Sequence, residues 1–174
     1  SQRLKQLTED LIEASKISSG NVELHMTELN LGQMLRQAYG ECSERLEESR
    51  LEMEISMEKE PVVIRADGRQ LWRVFENLFG NMAKYAMPGT KARLEMKRGQ
   101  EGVEILFRNI CRQKLQMSAD ELQERFVRGD LSRSTEGTGL GLSIAKSLTE
   151  LMGGRFQISL EDDSFQAALW FPYI

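Results

Sequence analysis

Three glycines separated by single residues form a loop that can bind an anion. They lie in the run Gly137-Thr138-Gly139-Leu140-Gly141-Leu142. Glycine leaves the backbone free to adopt positive φ and to approach a ligand closely, so that several N–H groups can converge on one phosphate. The apolar spacing after this loop predicts a helix whose N-terminus adds its positive dipole end. The spacing matches neither the P-loop nor the dinucleotide fingerprint, and a glycine loop at a helix start is also common turn chemistry.

A second set of polar residues lies on a predicted amphipathic helix. Asn77, Asn81 and Lys84 follow each other at spacings that place them on one stripe beside the apolar face. Amide oxygens suit Mg²⁺, which shares its coordination with substrate phosphates, and a lysine one turn on can neutralise phosphate charge. Glu76 can orient or deprotonate a nucleophile from a neighbouring face, and Tyr85 offers an aromatic ring beside the same site. An ordinary solvated helix face gives the same pattern, so the stripe alone leaves both interpretations open.

Composition and charge limit the class of protein. The chain has 174 residues, a net charge of −4 and 40% hydrophobic residues, which is typical of a soluble globular protein and does not favour a nucleic-acid binder. No apolar run is long enough to span a bilayer, and no signal peptide opens the chain. Because the sequence starts at Ser1, we expect a fragment of a longer protein. Cys42, Cys111 and the single histidine, His25, give no metal-ligand spacing and no disulfide framework, so a reducing cytoplasm is the expected setting.

Hydrophobic periodicity predicts the elements that must position these residues. Helices are predicted over residues 1–19, 31–46, 68–86, 118–126 and 140–152. Strands are predicted over residues 22–26, 51–57, 62–64, 92–96, 103–107, 156–160 and 165–171. One-sided strands together with amphipathic helices predict an α+β fold with a mixed or antiparallel sheet covered by helices on one face. The first helix carries a coiled-coil-like seam, so we expect residues 1–20 to be the C-terminal remnant of a helix from a bundle or dimer stem, before a domain at 21–174.

Three motifs occur in the order and at the intervals of a known superfamily. They read Glu76-Asn77-Leu78-Phe79-Gly80-Asn81-Met82-Ala83-Lys84-Tyr85, Glu124-Arg125-Phe126-Val127-Arg128-Gly129-Asp130 and Gly137-Thr138-Gly139-Leu140-Gly141-Leu142. From about residue 31 to 172 the chain resembles the GHKL ATP-binding superfamily, and within it the catalytic domain of bacterial sensor histidine kinases. The resemblance implies a two-layer α/β sandwich of the Bergerat type that binds ATP and Mg²⁺. It also implies transfer of the γ-phosphoryl group to a histidine.

The resemblance implies a role for each residue of the first motif. Asn81 would ligate Mg²⁺ with Asn77 assisting, and Lys84 would contact the phosphates. Tyr85 would lie by the base or the ribose. Glu76 matches the position that the family uses as general base or to orient the nucleophile.

The remaining motifs imply further contacts and contain one departure. Arg128 would reach the γ-phosphate from a lid over about residues 115–138. The segment that wraps the phosphates would be Gly137, Thr138, Gly139, Leu140 and Gly141. The family's Asp-x-Gly-x-Gly box is replaced by Asn109-Ile110-Cys111-Arg112-Gln113, so Asn109 stands where an aspartate accepts a hydrogen bond from the adenine amino group. An asparagine side chain can still reach the adenine edge, but a neutral acceptor makes a weaker bond than an ionised one, so the affinity and selectivity for adenine stay open.

The resemblance also implies partners. The phosphoacceptor would lie on a dimerisation domain missing from this chain, because His25 lacks the acceptor's sequence context, and a response regulator would meet the full-length kinase. The chain is then expected to bind nucleotide without autophosphorylating and to make no nucleic-acid or membrane contact, as the cytoplasmic domain of a membrane-anchored bacterial sensor. Two alternatives stay open: a degenerate, non-catalytic nucleotide-binding or scaffold domain of the same fold, and a chaperone-like or repair-type ATPase of the superfamily. Nucleotide binding tests the first, and ATP hydrolysis tests the second.

Overall fold

The computed structural model describes residues 1–112 and 141–174. The helices in these ranges are α1 (Gln2–Ser18), α2 (Leu31–Glu48), α3 (Gly68–Tyr85) and α4 (Gly141–Leu151). The strands are β1 (Thr27–Asn30), β2 (Glu52–Ser56), β3 (Val63–Ala66), β4 (Lys91–Arg98), β5 (Gly102–Ile110), β6 (Arg155–Glu161) and β7 (Ser164–Pro172). The helix predicted over 118–126 lies outside the described ranges.

Five strands form one mixed sheet in the order β2-β4-β5-β7-β6. β2 runs parallel to β4, whereas the other neighbouring pairs are antiparallel. β1 and β3 pair antiparallel in a separate two-stranded ribbon. The predicted hairpins β4–β5 and β6–β7 are confirmed, and so is the prediction of a mixed sheet with helices on one face.

Aromatic packing fixes the rotation of α3 on the sheet. The ring of Phe107 on β5 lies 5.0 Å from that of Phe79 and 6.3 Å from that of Phe75, measured between centroids. All three side chains are buried, and burial of each contributes about 1.5–3 kcal/mol. Because this face of α3 is pinned to the sheet, the polar stripe of the same helix must lie at the edge of the layer. α3 also contacts both α2 and α4.

Side-chain caps fix where two of the helices begin. The side-chain oxygen of Asn30 accepts a hydrogen bond from the Gln33 N–H at 3.1 Å. Oδ1 of Asp67 accepts from the N–H groups of Arg69 and Gln70 at 3.0 and 3.2 Å. Each bond satisfies a donor that lacks a partner within its helix. Both predicted caps are confirmed.

The segment before β1 differs from the prediction. Residues 21–26 form no strand, and β1 begins at Thr27. Val22, Leu24 and Met26 alternate because they pack against the core, but the N–H of His25 donates to a side-chain oxygen of Asp67 at 2.9 Å and not to a strand. The prediction of a strand over 22–26 is therefore wrong. β3 is displaced by one to two residues from its predicted bounds.

The first helix ends at the predicted glycine. Gly20 adopts a φ of 74°, which favours glycine over residues with a side chain. α1 contacts α4 and buries Ile17, whereas Leu4 and Leu11 of its predicted seam are exposed. Within the described ranges, none of the helices combines the length and the apolar character needed to cross a bilayer. The division into residues 1–20 and 21–174 stays a prediction.

Candidate functional site

Helix α3 places the predicted polar stripe at the boundary between core and solvent. Its buried face consists of Leu71, Val74, Phe75, Leu78, Phe79 and Met82. Asn77, Asn81 and Tyr85 are half-buried, whereas Glu76 and Lys84 are exposed. Half-buried amides beside an exposed lysine and an exposed carboxylate can bind a charged ligand from the solvent side while the helix itself stays fixed.

The start of α4 lies directly against this stripe. A β-carbon placed on Gly141 would lie 3.7 Å from Oδ1 and 3.9 Å from Cγ of Asn77. The last glycine of the alternating motif and the first amide of the stripe are thus neighbours, although they are far apart in the sequence. A methyl group at position 141 would lie in van der Waals contact with the Asn77 amide.

The Asn77 side chain has an unsatisfied donor. Its Nδ2 is buried and has no hydrogen-bond partner among the residues that the structure describes. A buried N–H group without an acceptor costs about 1–3 kcal/mol. An acceptor such as a phosphate oxygen at the start of α4 would satisfy it.

The far end of α3 is tied to the end of strand β5. The N–H of Met87 donates to the Ile110 carbonyl at 2.7 Å, and the N–H of Arg112 donates to the Tyr85 carbonyl at 2.8 Å. Asn109 is buried on the helix-covered side of β5, and its Nδ2 donates to the carbonyl of Ile110 at 3.3 Å. Asn109 and Tyr85, the two predicted base contacts, are therefore held on adjoining segments.

The side chain of Arg112 was missed by the sequence analysis. Its Nε donates to the carbonyl of Ala86, just beyond α3, at 3.1 Å. Its place in the altered glycine box was the only sequence signal, and that signal says nothing about what the side chain contacts.

Two groups at opposite ends of α3 have shifted pKa values. Burial raises the pKa of the Asp67 carboxyl, but hydrogen bonds from the backbone of His25, Gln70 and Arg69 outweigh it and leave the pKa below its ordinary value. Burial, with a smaller contribution from the Asp163 carboxylate, raises the pKa of the Cys111 thiol to about 11. Asp67 is therefore ionised and Cys111 protonated at neutral pH.

Glu76 faces a groove between α1 and α3. The groove has a volume of about 540 Å³ and is lined by Glu13, Lys16, Arg69, Gln70, Trp72, Arg73 and Glu76. An ion pair of 3.4 Å between Glu13 and Arg73 links the two helices. The carboxylate predicted to act on a nucleophile is thus accessible from the side of α1.

Several predicted contacts cannot be located. Arg128, Gly137, Thr138, Gly139 and Leu140 lie outside the described residues. In residues 1–112 and 141–174, no group of three or more His, Cys, Asp or Glu side chains is placed to hold a metal ion.

The fold and the site together define a class of protein. A mixed sheet is covered on one face by helices, and an amide stripe on one helix meets a glycine at the start of another. This arrangement defines a nucleotide-binding domain of the GHKL type. The family model described as "Histidine kinase-, DNA gyrase B-, and HSP90-like ATPase" matches residues 66–173, and the chain belongs to this ATP-binding family.

The chain is similar to sensor proteins and to a solved histidine kinase domain. The sensor protein VanSC of Enterococcus gallinarum is 30% identical over 165 residues, which cover 94% of this chain and 45% of the relative. The probable sensor protein PcoS of Escherichia coli is 31% identical over 155 residues, 88% of this chain and 33% of the relative. The catalytic domain of the histidine kinase ThkA superposes with a TM-score of 0.74 at 22% identity, over 86% of this chain and 97% of that one.

The predicted superfamily and fold are confirmed by these matches, and the relatives named above are sensor proteins. The chain spans less than half the length of the curated relatives named above.

Proposed function

We propose that this chain is the catalytic domain of a two-component sensor histidine kinase and transfers the γ-phosphoryl group of Mg-ATP to a histidine on a dimerisation domain. The observation that carries the proposal is the proximity of Asn77 to Gly141, which brings the amide stripe beside the end of the glycine motif. The buried amide nitrogen of Asn77, which has no acceptor among the described residues, supports a ligand with acceptor oxygens.

The residues of α3 fit a shared metal and phosphate site. Asn81 and Asn77 would hold Mg²⁺ through their amide oxygens, a ligand type that this ion accepts together with substrate phosphates. When bound, Mg²⁺ neutralises the charge of the phosphates. Lys84 is exposed one turn beyond Asn81 and would add a positive charge to the same group. Positioning and charge neutralisation supply most of the catalysis in phosphoryl transfer.

The base would be bound at the other end of α3. Tyr85 would lie against the base or the ribose, and Asn109 would offer an uncharged acceptor to the adenine amino group. From the segment outside the described residues, Arg128 would contact the γ-phosphate. Gly137, Thr138, Gly139, Leu140 and Gly141 would wrap the phosphates, and Gly141 is the member of this set that the structure describes.

Glu76 would act on the incoming histidine. Its carboxylate is exposed, and it precedes Asn77 by one position on α3. It would orient the acceptor imidazole or accept a proton from it. The imidazole would approach through the groove between α1 and α3. His25 would not serve as acceptor, because its segment is fixed to Asp67 at the start of α3, away from the proposed phosphate site.

The proposal extends to the parent protein and its partners. A dimerisation domain would carry the acceptor histidine, and a response regulator would receive the phosphoryl group from it. One solved structure of ThkA is a complex with the response regulator protein TrrA, which supports this kind of partner. The parent would be a membrane-anchored bacterial sensor that holds this domain in the cytoplasm.

Calorimetric titration of Mg-ATP into the chain tests the binding step. We expect a dissociation constant from micromolar to sub-millimolar, about −8 to −5 kcal/mol. Asn81→Ala should abolish Mg-dependent binding, whereas Asn21→Ala, at an exposed position after α1, should leave it unchanged. No heat and no thermal shift with millimolar Mg-ATP would refute the enzyme proposal and leave a scaffold domain.

A second comparison tests catalysis. Glu76→Gln should bind Mg-ATP like the wild type but transfer phosphate to an added dimerisation domain at least about a hundredfold more slowly, the usual range for loss of a general base. Equal transfer rates would remove Glu76 from the proposed mechanism. ATP hydrolysis by the chain alone at rates above transfer would favour an ATPase of the same superfamily.

A further inference from the structure

The C-terminus of α3 depends on neighbouring segments for its hydrogen bonds. The last carbonyl groups of a helix lack partners within it. Here the Ser49 hydroxyl donates to the Ala83 carbonyl at 2.9 Å, and the backbone N–H of Arg112 donates to the carbonyl of Tyr85 at 2.8 Å. The Nε of Arg112 then donates to the carbonyl of Ala86 at 3.1 Å. Arg112, two positions beyond β5, thus donates hydrogen bonds to two consecutive carbonyls at the end of α3.

Arginine suits this position for two reasons. Its guanidinium is always charged and presents its donors in a rigid plane. A positive charge near the C-terminus of a helix is also favourable, because the carbonyl ends carry partial negative charge. The nearby backbone bonds from Met87 to Ile110 and from Cys111 to Asp163 hold the same segment from both sides.

The residues fixed by Arg112 are those that would meet the base. The backbone N–H of Arg112 bonds directly to Tyr85. Asn109 lies three positions before Arg112 on the same chain segment. We infer that Arg112 is a positioning residue that holds the helix side and the strand side of the base pocket in one geometry. This inference rests on the proposed function of the site. It assigns a role to a position where the resemblance supplies none.

The expected loss of nucleotide affinity follows from the fraction of molecules in which the base pocket is formed. Without the Nε bond, the last turn of α3 is held by fewer bonds and frays more often. When only a fraction of molecules has the pocket formed, the apparent affinity falls by that fraction. The base, which ADP and ATP share, would bind at this end of α3, whereas the phosphates would bind elsewhere. ADP and ATP should therefore lose affinity by the same factor.

The test compares Arg112→Ala and Arg112→Lys with the matched control Arg108→Ala. Arg108 lies on the same strand, and its guanidinium bonds to Gln166 through Nε at 3.1 Å and through a terminal nitrogen at 2.8 Å. Its side chain is exposed on the sheet face opposite the helices. Because Arg112 is exposed, we expect Arg112→Ala to weaken Mg-ADP and Mg-ATP alike by about two- to twelvefold, the range of one ordinary intramolecular hydrogen bond.

The lysine variant separates geometry from charge. Lysine keeps the positive charge but cannot place a donor where Nε lies, so Arg112→Lys should stay weakened while Arg108→Ala binds like the wild type. Unchanged affinity in Arg112→Ala would overturn the inference. A loss confined to ATP and restored by lysine would also overturn it, since that result describes a phosphate contact.

Amide hydrogen exchange gives a readout that needs no nucleotide. In Arg112→Lys, the N–H groups of Met87 and of residue 112 should exchange faster than in the wild type, whereas the Gly99 N–H, which bonds to the Gly102 carbonyl in the β4–β5 turn, should not change. Unchanged exchange at Met87 would contradict the positioning role. If the wild type bound neither nucleotide, the proposed function itself would fail, and the exchange result would still show whether Arg112 holds the end of α3.

Discussion

Replacement of Asp67 should reveal how strongly the start of α3 is fixed. Its carboxylate accepts three backbone hydrogen bonds, from His25 at 2.9 Å and from Arg69 and Gln70 at 3.0 and 3.2 Å. Loss of a helix cap costs about 1 kcal/mol, and loss of the separate bond from His25 to a charged acceptor costs about 1.5–3 kcal/mol. We therefore expect Asp67→Ala to lower the free energy of unfolding by about 2.5–4 kcal/mol.

Asp67→Asn separates the two contributions. Asparagine caps helices as well as aspartate does, so the bonds to the first turn of α3 should survive. Its NH₂ group would meet the N–H of His25, and only that bond should be lost, at a cost of about 1.5–3 kcal/mol. Urea unfolding at neutral pH measures both variants. A loss below about 0.5 kcal/mol in Asp67→Ala, the range of ordinary surface substitutions, would refute the reasoning.

The pH dependence of the same variants is a further check. The pKa of Asp67 is lowered in the folded state from an ordinary value of 3.8. A carboxyl with a lowered folded pKa stabilises the protein above its unfolded value, and this stabilisation is lost as the pH falls through the folded value. The stability difference between wild type and Asp67→Asn should therefore narrow as the pH falls below about 4. A difference that stays constant down to pH 2 would contradict the assignment.

Three further predictions concern two glycines and a buried thiol. Gly40→Ala should raise the free energy of unfolding by about 0.5–1 kcal/mol, because alanine favours a helix interior and, among the described residues, no atom beyond the adjacent residues and the helix backbone lies within 4 Å of the new methyl group. Gly102→Ala should lower it by about 1–3 kcal/mol, because the added carbon would lie 2.6 Å from the Trp170 ring; urea unfolding with the same sign for both would contradict this. Because burial raises the Cys111 pKa to about 11, iodoacetamide at pH 8 should alkylate it far more slowly in the folded chain than in urea, and equal rates would show that the thiol is accessible.

Local sequence patterns predicted most of the elements. The apolar stripe of α3, its cap at Asp67 and the alternation in β4 and β5 each involve residues close together in the chain, where 3.6- and 2-residue periods report burial directly. The same reasoning failed for residues 21–26. Their alternation does reflect burial, but Asp67, distant in the sequence, takes the N–H of His25 that a strand would use.

The chemical groups of the candidate site can be read from local sequence: amides, a lysine and a carboxylate on one helix, and glycines before another. Which of these groups lie side by side depends on how the helices pack on the sheet. Packing of Phe107 against α3 sets the rotation of that helix, and only then does Asn77 face Gly141. The structure alone also revealed that Arg112 secures the end of α3. Contacts of this kind join residues from separate elements, so their geometry depends on how the layers pack and leaves no periodic signal in the chain.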